Sequence, residues 1–128
     1  MENNNQYRHW MAENIAKTYL YETGMLDVYQ NEDQRFDFVC MLKSNLRNIF
    51  AVQIKASQYN KSEITRLYRK DRQQNLNYDI PILMLYINHI DKTGYFEFIF
   101  KILSDELKVL NTDSLKNEIR NFRFDVVR

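Results

Sequence analysis

Two runs, Arg35–Leu42 (RFDFVCML) and Ile49–Ser57 (IFAVQIKAS), decide how the rest of this sequence is read. Both are short, rich in aromatic and β-branched residues, and flanked by polar residues, which is the pattern of β-strands. The polar link Lys43-Ser44-Asn45-Leu46-Arg47-Asn48 joins them. A hairpin centred on Asn45 pairs Phe36 with Ile54, Asp37 with Gln53, Phe38 with Val52 and Cys40 with Phe50. Side chains alternate faces along a strand. One face of the hairpin is then wholly apolar. The other holds Asp37, Gln53 and Lys55, with Val39, Ala51, Met41 and Ile49 behind them.

Toward the N-terminus, Met11, Ala12, Ile15, Ala16, Tyr19 and Leu20 recur at helical spacing between Tyr7 and Thr23, and Gly24 is placed to stop the helix. Glu13 lies at the edge of that stripe, within reach of whatever the helix packs on. Met25–Gln30 reads as a short strand. Beyond the hairpin, Asn60 and Glu63 have the spacing of a capping box. The helix they open carries Ile64, Leu67 and Tyr68 on one side, with Arg66, Arg69, Lys70 and Arg72 largely elsewhere.

Ile80–Ile87 is nearly all apolar, which suits a strand buried on both faces, with Pro81 at its start. The turn Asp91-Lys92-Thr93-Gly94 leads into a strand from Tyr95 to Leu103. Ser104 and Thr112 are each placed to cap a short helix, and Phe122–Val127 alternates as a terminal strand would. The predicted order is helix, three strands, helix, two strands and a helical tail. That is one α/β domain over residues 1–128: a three-layer sandwich with a central mixed sheet flanked by helices, its core at about 7–103 and a tail at 104–128.

Composition bounds what such a domain does. Hydrophobic residues make up 45% and charged residues 27%, an ordinary globular balance. With a net charge of +1 the molecule carries no overall basic field, so any nucleic-acid contact must come from a local patch. The single cysteine, Cys40, excludes an intrachain disulfide and suits a reducing compartment. The Met1-Glu2-Asn3-Asn4-Asn5 start lacks the layout of a signal peptide, and no apolar run is long enough to span a bilayer. The expectation is a soluble cytoplasmic protein. His9 and His89 are far apart and Cys40 has no partner at ligand spacing, which speaks against zinc. A glycine-rich phosphate loop is lacking.

The polar face of the hairpin suits phosphodiester hydrolysis. That reaction needs a cation to offset phosphate charge and to make hydroxide from water near neutral pH. Mg²⁺ is held by one or two carboxylates and keeps several waters. Asp37 offers the first carboxylate, Gln53 a neutral oxygen, and Glu13 completes the shell directly or through water. Lys55 orients or stabilises the attacking hydroxide and the developing charge.

With these residues the chain resembles the PD-(D/E)XK nuclease superfamily, in particular the restriction- and Holliday-resolvase-like branch that carries Gln-x-Lys in place of Glu-x-Lys. The resemblance rests on Glu13 in the first helix, Asp37 at the start of the second strand, and Val52-Gln53-Ile54-Lys55-Ala56-Ser57 before a helix and the apolar strand Ile82-Leu83-Met84-Leu85-Tyr86. It covers about the first hundred residues. It implies a restriction-endonuclease-like fold, a Mg²⁺ or Mn²⁺ site formed by Asp37, Gln53 and Glu13, and cleavage of DNA in restriction or phage defence. Superfamily members often dimerise to cut both strands, and the aromatic-rich Tyr95–Leu103 strand is the contact this chain offers. Gln53, and the lead-in Gln34-Arg35-Phe36, depart from the commoner pattern; a glutamine removes one negative charge from the metal site.

Each residue also has a plainer reading. Asp37 and Lys55 can close the core as a salt bridge, Gln53 can be an ordinary hydrogen-bonded sheet residue, and Glu13 can pair with Lys17. Arg66, Arg69, Lys70 and Arg72 are either a solvated helix face or a track for a phosphate backbone, which Ser57 would also touch. The alternative to a nuclease is thus an inactive domain of the same fold that binds nucleic acid or a partner protein.

Overall fold

The computed structural model describes residues 4–31, 35–75, 78–100, 106–122 and 124. Three helices, α1 (Asn4–Glu22), α2 (Lys61–Asn75) and α3 (Thr112–Asn121), accompany six strands. The strands are β1 (Leu26–Gln30), β2 (Phe38–Leu42), β3 (Asn45–Ala56), β4 (Ile82–Asn88), β5 (Thr93–Ile99) and β6 (Lys108–Val109). They form one sheet in sequence order, antiparallel throughout except for the parallel pair β3 and β4 joined through α2.

The hairpin register follows from the alternation. Phe38 pairs with Val52 and Cys40 with Phe50, as predicted. The turn is tighter than expected: β3 begins at Asn45, and a register shift between Met41 and Leu42 absorbs the shorter loop. The polar link is therefore mostly strand, because backbone pairing with β2 extends it.

Two cores lie on opposite faces of the sheet. On one face Ala12, Ala16 and Leu20 of α1 and Leu115 and Ile119 of α3 pack on Phe38, Phe50, Val52, Leu83, Leu85 and Phe96. On the other, Ile64 and Tyr68 of α2 pack on Ala51, Ile82, Met84 and Tyr86. The protein is thus α/β, with helices on both faces of a mixed sheet. Burial of β4 on both faces matches its unbroken apolar run.

Local chemistry sets the helix ends. Gly24 adopts φ +68° just beyond α1, a conformation open to glycine, and its N–H donates to Tyr21 O. Asn60 Oδ1 accepts from the Glu63 N–H at 3.0 Å and starts α2. The cap of α3 is Asn111 rather than Thr112: its side chain accepts from the Ser114 N–H while Ser114 Oγ accepts from the Asn111 N–H.

The C-terminal part belongs to the cores. Leu107, Leu110, Leu115, Ile119 and Phe124 are all buried. The strand expected over Phe122–Val127 is not formed at Phe122 or Phe124, whose rings pack together with a centroid separation of 4.8 Å. Residues 123 and 125–127 of that expectation, with Ser104 and residues 101–103 of the Tyr95–Leu103 strand, lie outside the described residues. The aromatic contact expected on Tyr95–Leu103 is buried instead, because Phe96, Phe98, Ile99 and Phe100 are at most 5% exposed. β6 pairs with Tyr95 and Phe96 at that strand's edge. Among the described residues no helix is long and apolar enough to cross a membrane.

Candidate functional site

β2 begins at Phe38, so Asp37 stands at the end of the ladder. Its N–H donates to Val52 O at 2.9 Å. The next outward N–H of β3, that of Ile54, has no backbone carbonyl opposite it; Asp37 Oδ2 accepts it at 2.8 Å. The carboxylate therefore replaces a missing rung. Its other oxygen turns to α1, where His9 Nε2 lies 3.2 Å from Asp37 Oδ1 and 3.5 Å from Glu13 Oε1. One ligand atom from each of His9, Glu13 and Asp37 lies within 4.8 Å of the others. The side chains are 47%, 24% and 17% exposed respectively, so the group forms a rim and not a core.

Two carboxylates at this distance repel. The Glu13 carboxyl is held above its usual value, first by burial and then by its hydrogen bond to, and the charge of, Asp37; His9 and Lys17 pull it down. The predicted partner, Lys17, sets its ammonium over the Phe38 ring, 5.3 Å from the centroid.

Lys55 goes elsewhere. Its ammonium donates to Asp71 Oδ1 of α2 at 2.8 Å, and Tyr86 Oη donates to Asp71 Oδ2 at 2.8 Å. The Asp37–Lys55 bridge of the plainer reading gives way to this pair, because Asp71 is nearly buried and both its oxygens take donors. The hydroxyl of Tyr86 is pushed far up by burial and by Asp71 and stays a donor. Asp37 and Glu13 are thus brought together, while Lys55 points to the α2 side of the sheet.

Gln53, next to Val52 on β3, has a side-chain oxygen, Oε1, that is buried and lacks a hydrogen-bond partner among the described residues. A buried acceptor left open is costly, and a water or a cation would satisfy it. Ser57 is also buried; its N–H donates to Ile87 O and its Oγ accepts from the Tyr59 N–H. Its hydroxyl shapes the exit from β3 and lines a pocket with Arg8, Gln58, Tyr59 and His89.

Of the basic residues on α2, Arg66, Arg69 and Lys70 are exposed. Arg72 departs from them: its guanidinium lies over the Tyr68 ring, 5.9 Å from the centroid. Cys40 is buried, its thiol pushed up to about 12, and it faces the α1 core away from this chemistry.

Sequence reasoning set aside His9 and overlooked Asp71. Both had a local signal. His9 precedes Glu13 by one helical turn, which puts the two on one face. Asp71 continues the stripe of Ile64 and Tyr68, and an acid on an apolar stripe implies a buried partner.

The fold and rim together define an α/β protein with a carboxylate–imidazole group at the end of a β-ladder, beside the parallel strand pair. No known protein family, curated protein or solved structure matches the chain.

Proposed function

We propose that this chain is a metal-dependent nuclease that hydrolyses phosphodiester bonds, DNA foremost, with a restriction-endonuclease-like fold of the PD-(D/E)XK type. The observation that carries the reading is the convergence of Asp37, Glu13 and His9 within 4.8 Å at an accessible rim. The donor set fits Mg²⁺ or Mn²⁺: two carboxylates and an imidazole. When bound, such a cation offsets phosphate charge and lowers the pKa of a coordinated water.

The chain's own residues do the rest. Asp37 is fixed by the Ile54 N–H, so its other oxygen, beside His9, is aimed before any ligand arrives. His9 and Glu13 sit on consecutive turns of α1 and hold their spacing through the helix. The Lys55 side chain, 41% exposed, is oriented by Asp71 at the α2 side. The exposed Arg66, Arg69 and Lys70 supply attraction for a phosphate backbone. A role in restriction or phage defence and pairing of two copies on a duplex are the biological setting of this reading.

One observation favours the inactive alternative, in which the domain only binds nucleic acid or a partner protein. The Lys55 ammonium is already engaged by Asp71, away from Asp37. Cleavage assays with Mn²⁺ or Mg²⁺ on plasmid, single-stranded DNA and RNA decide between them. Loss of cleavage in Asp37→Asn and Glu13→Gln, with unchanged circular dichroism, supports the nuclease. Absence of cleavage by the unaltered protein with either ion sinks it.

A further inference from the structure

Three hollows share lining residues in series and together form one path. The first, about 140 Å³, lies at the exit of β3 and β4 and is lined by Arg8, Ser57, Tyr59 and His89. Tyr59 also lines a second, of about 380 Å³, with Arg66 and Lys70. Arg66 in turn lines a third, of about 570 Å³, with Lys61 and Arg69. The path thus starts at the neighbour of His9, crosses the ring of Tyr59 and ends on the basic face of α2. Five cations line it (Arg8, Lys61, Arg66, Arg69 and Lys70) against one carboxylate, Glu63. In a chain whose net charge is +1, that is a strong local bias toward polyanions.

Exposed rings accompany these cations. Tyr59 is 57% exposed, Tyr7 55% and Trp10 57%. Tyr7 meets His89 edge-on, with centroids 6.2 Å apart, and lies 6.4 Å from Trp10, so these rings gather at the mouth of the first hollow. Scattered exposed aromatics need no explanation, but here they cluster among cations. A duplex hides its base faces and offers only phosphates. A single strand offers both, and stacking of a base on an aromatic ring is worth about 1–3 kcal/mol.

We propose that this path is a groove for single-stranded nucleic acid, with phosphates along Arg8, Arg66 and Lys70 and bases stacked on Tyr59, Tyr7 and Trp10. The inference rests on the nuclease reading for the fate of the strand, since it names that reading's substrate class, but binding itself needs no metal.

Trp10 is the only tryptophan and reports directly. The full chain, in EDTA, is titrated with labelled oligo(dT) and oligo(U) of about 12 nucleotides and with a blunt hairpin duplex. Anisotropy gives affinity, and Trp10 emission gives location. The expected result is tighter binding of single strands than of duplex, by about tenfold or more, with quenching of Trp10. Tyr59→Ala and Arg66→Ala each weaken single-strand binding by about fivefold or more while circular dichroism is unchanged. Preference for oligo(dT) or for oligo(U) assigns DNA or RNA, and either preference supports the groove. Equal or tighter duplex binding, unchanged Trp10 emission at saturation, or unchanged affinity in Tyr59→Ala overturns it. Mn²⁺ is then added to the bound strand. Single-strand binding without cleavage overturns the nuclease reading and spares the groove; cleavage of duplex without single-strand preference does the reverse.

Discussion

Two polar groups flank the end of β3 and differ in how finished they are. On the α2 side, Asp71 is nearly buried and each of its oxygens takes one donor, from Lys55 and from Tyr86, both at 2.8 Å. On the α1 side, Asp37, Glu13 and His9 stand at a rim, two acids close together with an imidazole between them. The first group is closed. Its charges are paired and its lone pairs used, as a buried carboxylate requires. The second is open: burial first, and then the neighbouring Asp37, raise the Glu13 carboxyl above its ordinary value, and His9 is the one side chain that reaches both acids among the described residues. Closed networks hold a fold together; open ones are stable only because water reaches them, and water leaves room for a ligand.

The largest test of this contrast is Asp71→Ala. It leaves the ammonium of Lys55 and the buried hydroxyl of Tyr86 without their acceptor and is expected to cost about 3–5 kcal/mol in urea unfolding. A loss under about 1 kcal/mol would mean that the α2 group is not a closed network.

Next comes the cation. At about one hundred times its Kd, Mn²⁺ is expected to stabilise the unaltered protein by about 2.7 kcal/mol, read as a rise in Tm that EDTA reverses. His9→Ala and Glu13→Gln should each reduce the rise, and Asp71→Asn should leave it in place. Protons compete for the raised Glu13 carboxyl, so the Mn²⁺-induced rise shrinks as pH falls. A rise that is the same in all variants would erase the distinction between the two groups.

A third acid sharpens the comparison because it is buried and only partly relieved. Glu97 of β5 accepts from the Phe98 N–H and from Lys108 of β6, and Lys108 also reaches Glu118 of α3. Burial nevertheless pushes its carboxyl from 4.5 to about 7, while the bonds from Lys108 and Phe98 pull the other way. The folded state therefore binds the proton more tightly than the unfolded state. The contribution of this protonation to stability is full below pH 4.5 and is lost as pH rises through about 7. The stability of the native protein relative to Glu97→Gln should fall over that window, measured by urea titration at each pH. A flat difference would place Glu97 with the closed group.

The smallest effect belongs to the open group without metal. Glu13→Gln removes a like charge at a rim and is expected to change stability by no more than about 0.5 kcal/mol. A large loss there would show that the rim is structural after all.

Much of this arrangement was legible along the chain. Alternation alone placed Phe38 opposite Val52 and Cys40 opposite Phe50, because a slip of one residue would turn the apolar set to water. Helical spacing found the buried stripe of Ala12, Ala16 and Leu20, and continuous apolarity found β4. Asn60 marked the start of α2, since a short side-chain acceptor there meets an otherwise unpaired N–H. Glu13 stood out as an acid at the edge of a helical stripe, and Asp37 as an acid inside an apolar strand. These are local matters, decided by periodicity and by the geometry of neighbouring peptides.

The partners of the polar groups are another matter, since they depend on how elements separated in sequence pack. The chain offered Lys55 two carboxylates, Asp37 by register and Asp71 by packing. Only the seating of α2 on the sheet decided for Asp71, the more buried acid and the costlier one to leave alone. His9 reaches Asp37 across 28 residues because α1 lies over the face opposite α2. The path from Arg8 through Tyr59 to Arg66 likewise exists only once the ends of β3 and β4, the start of α1 and the outer face of α2 converge. Sequence patterns determine which residues must leave water, whereas tertiary packing determines which charges meet, because those energies fall with distances that only the folded chain defines.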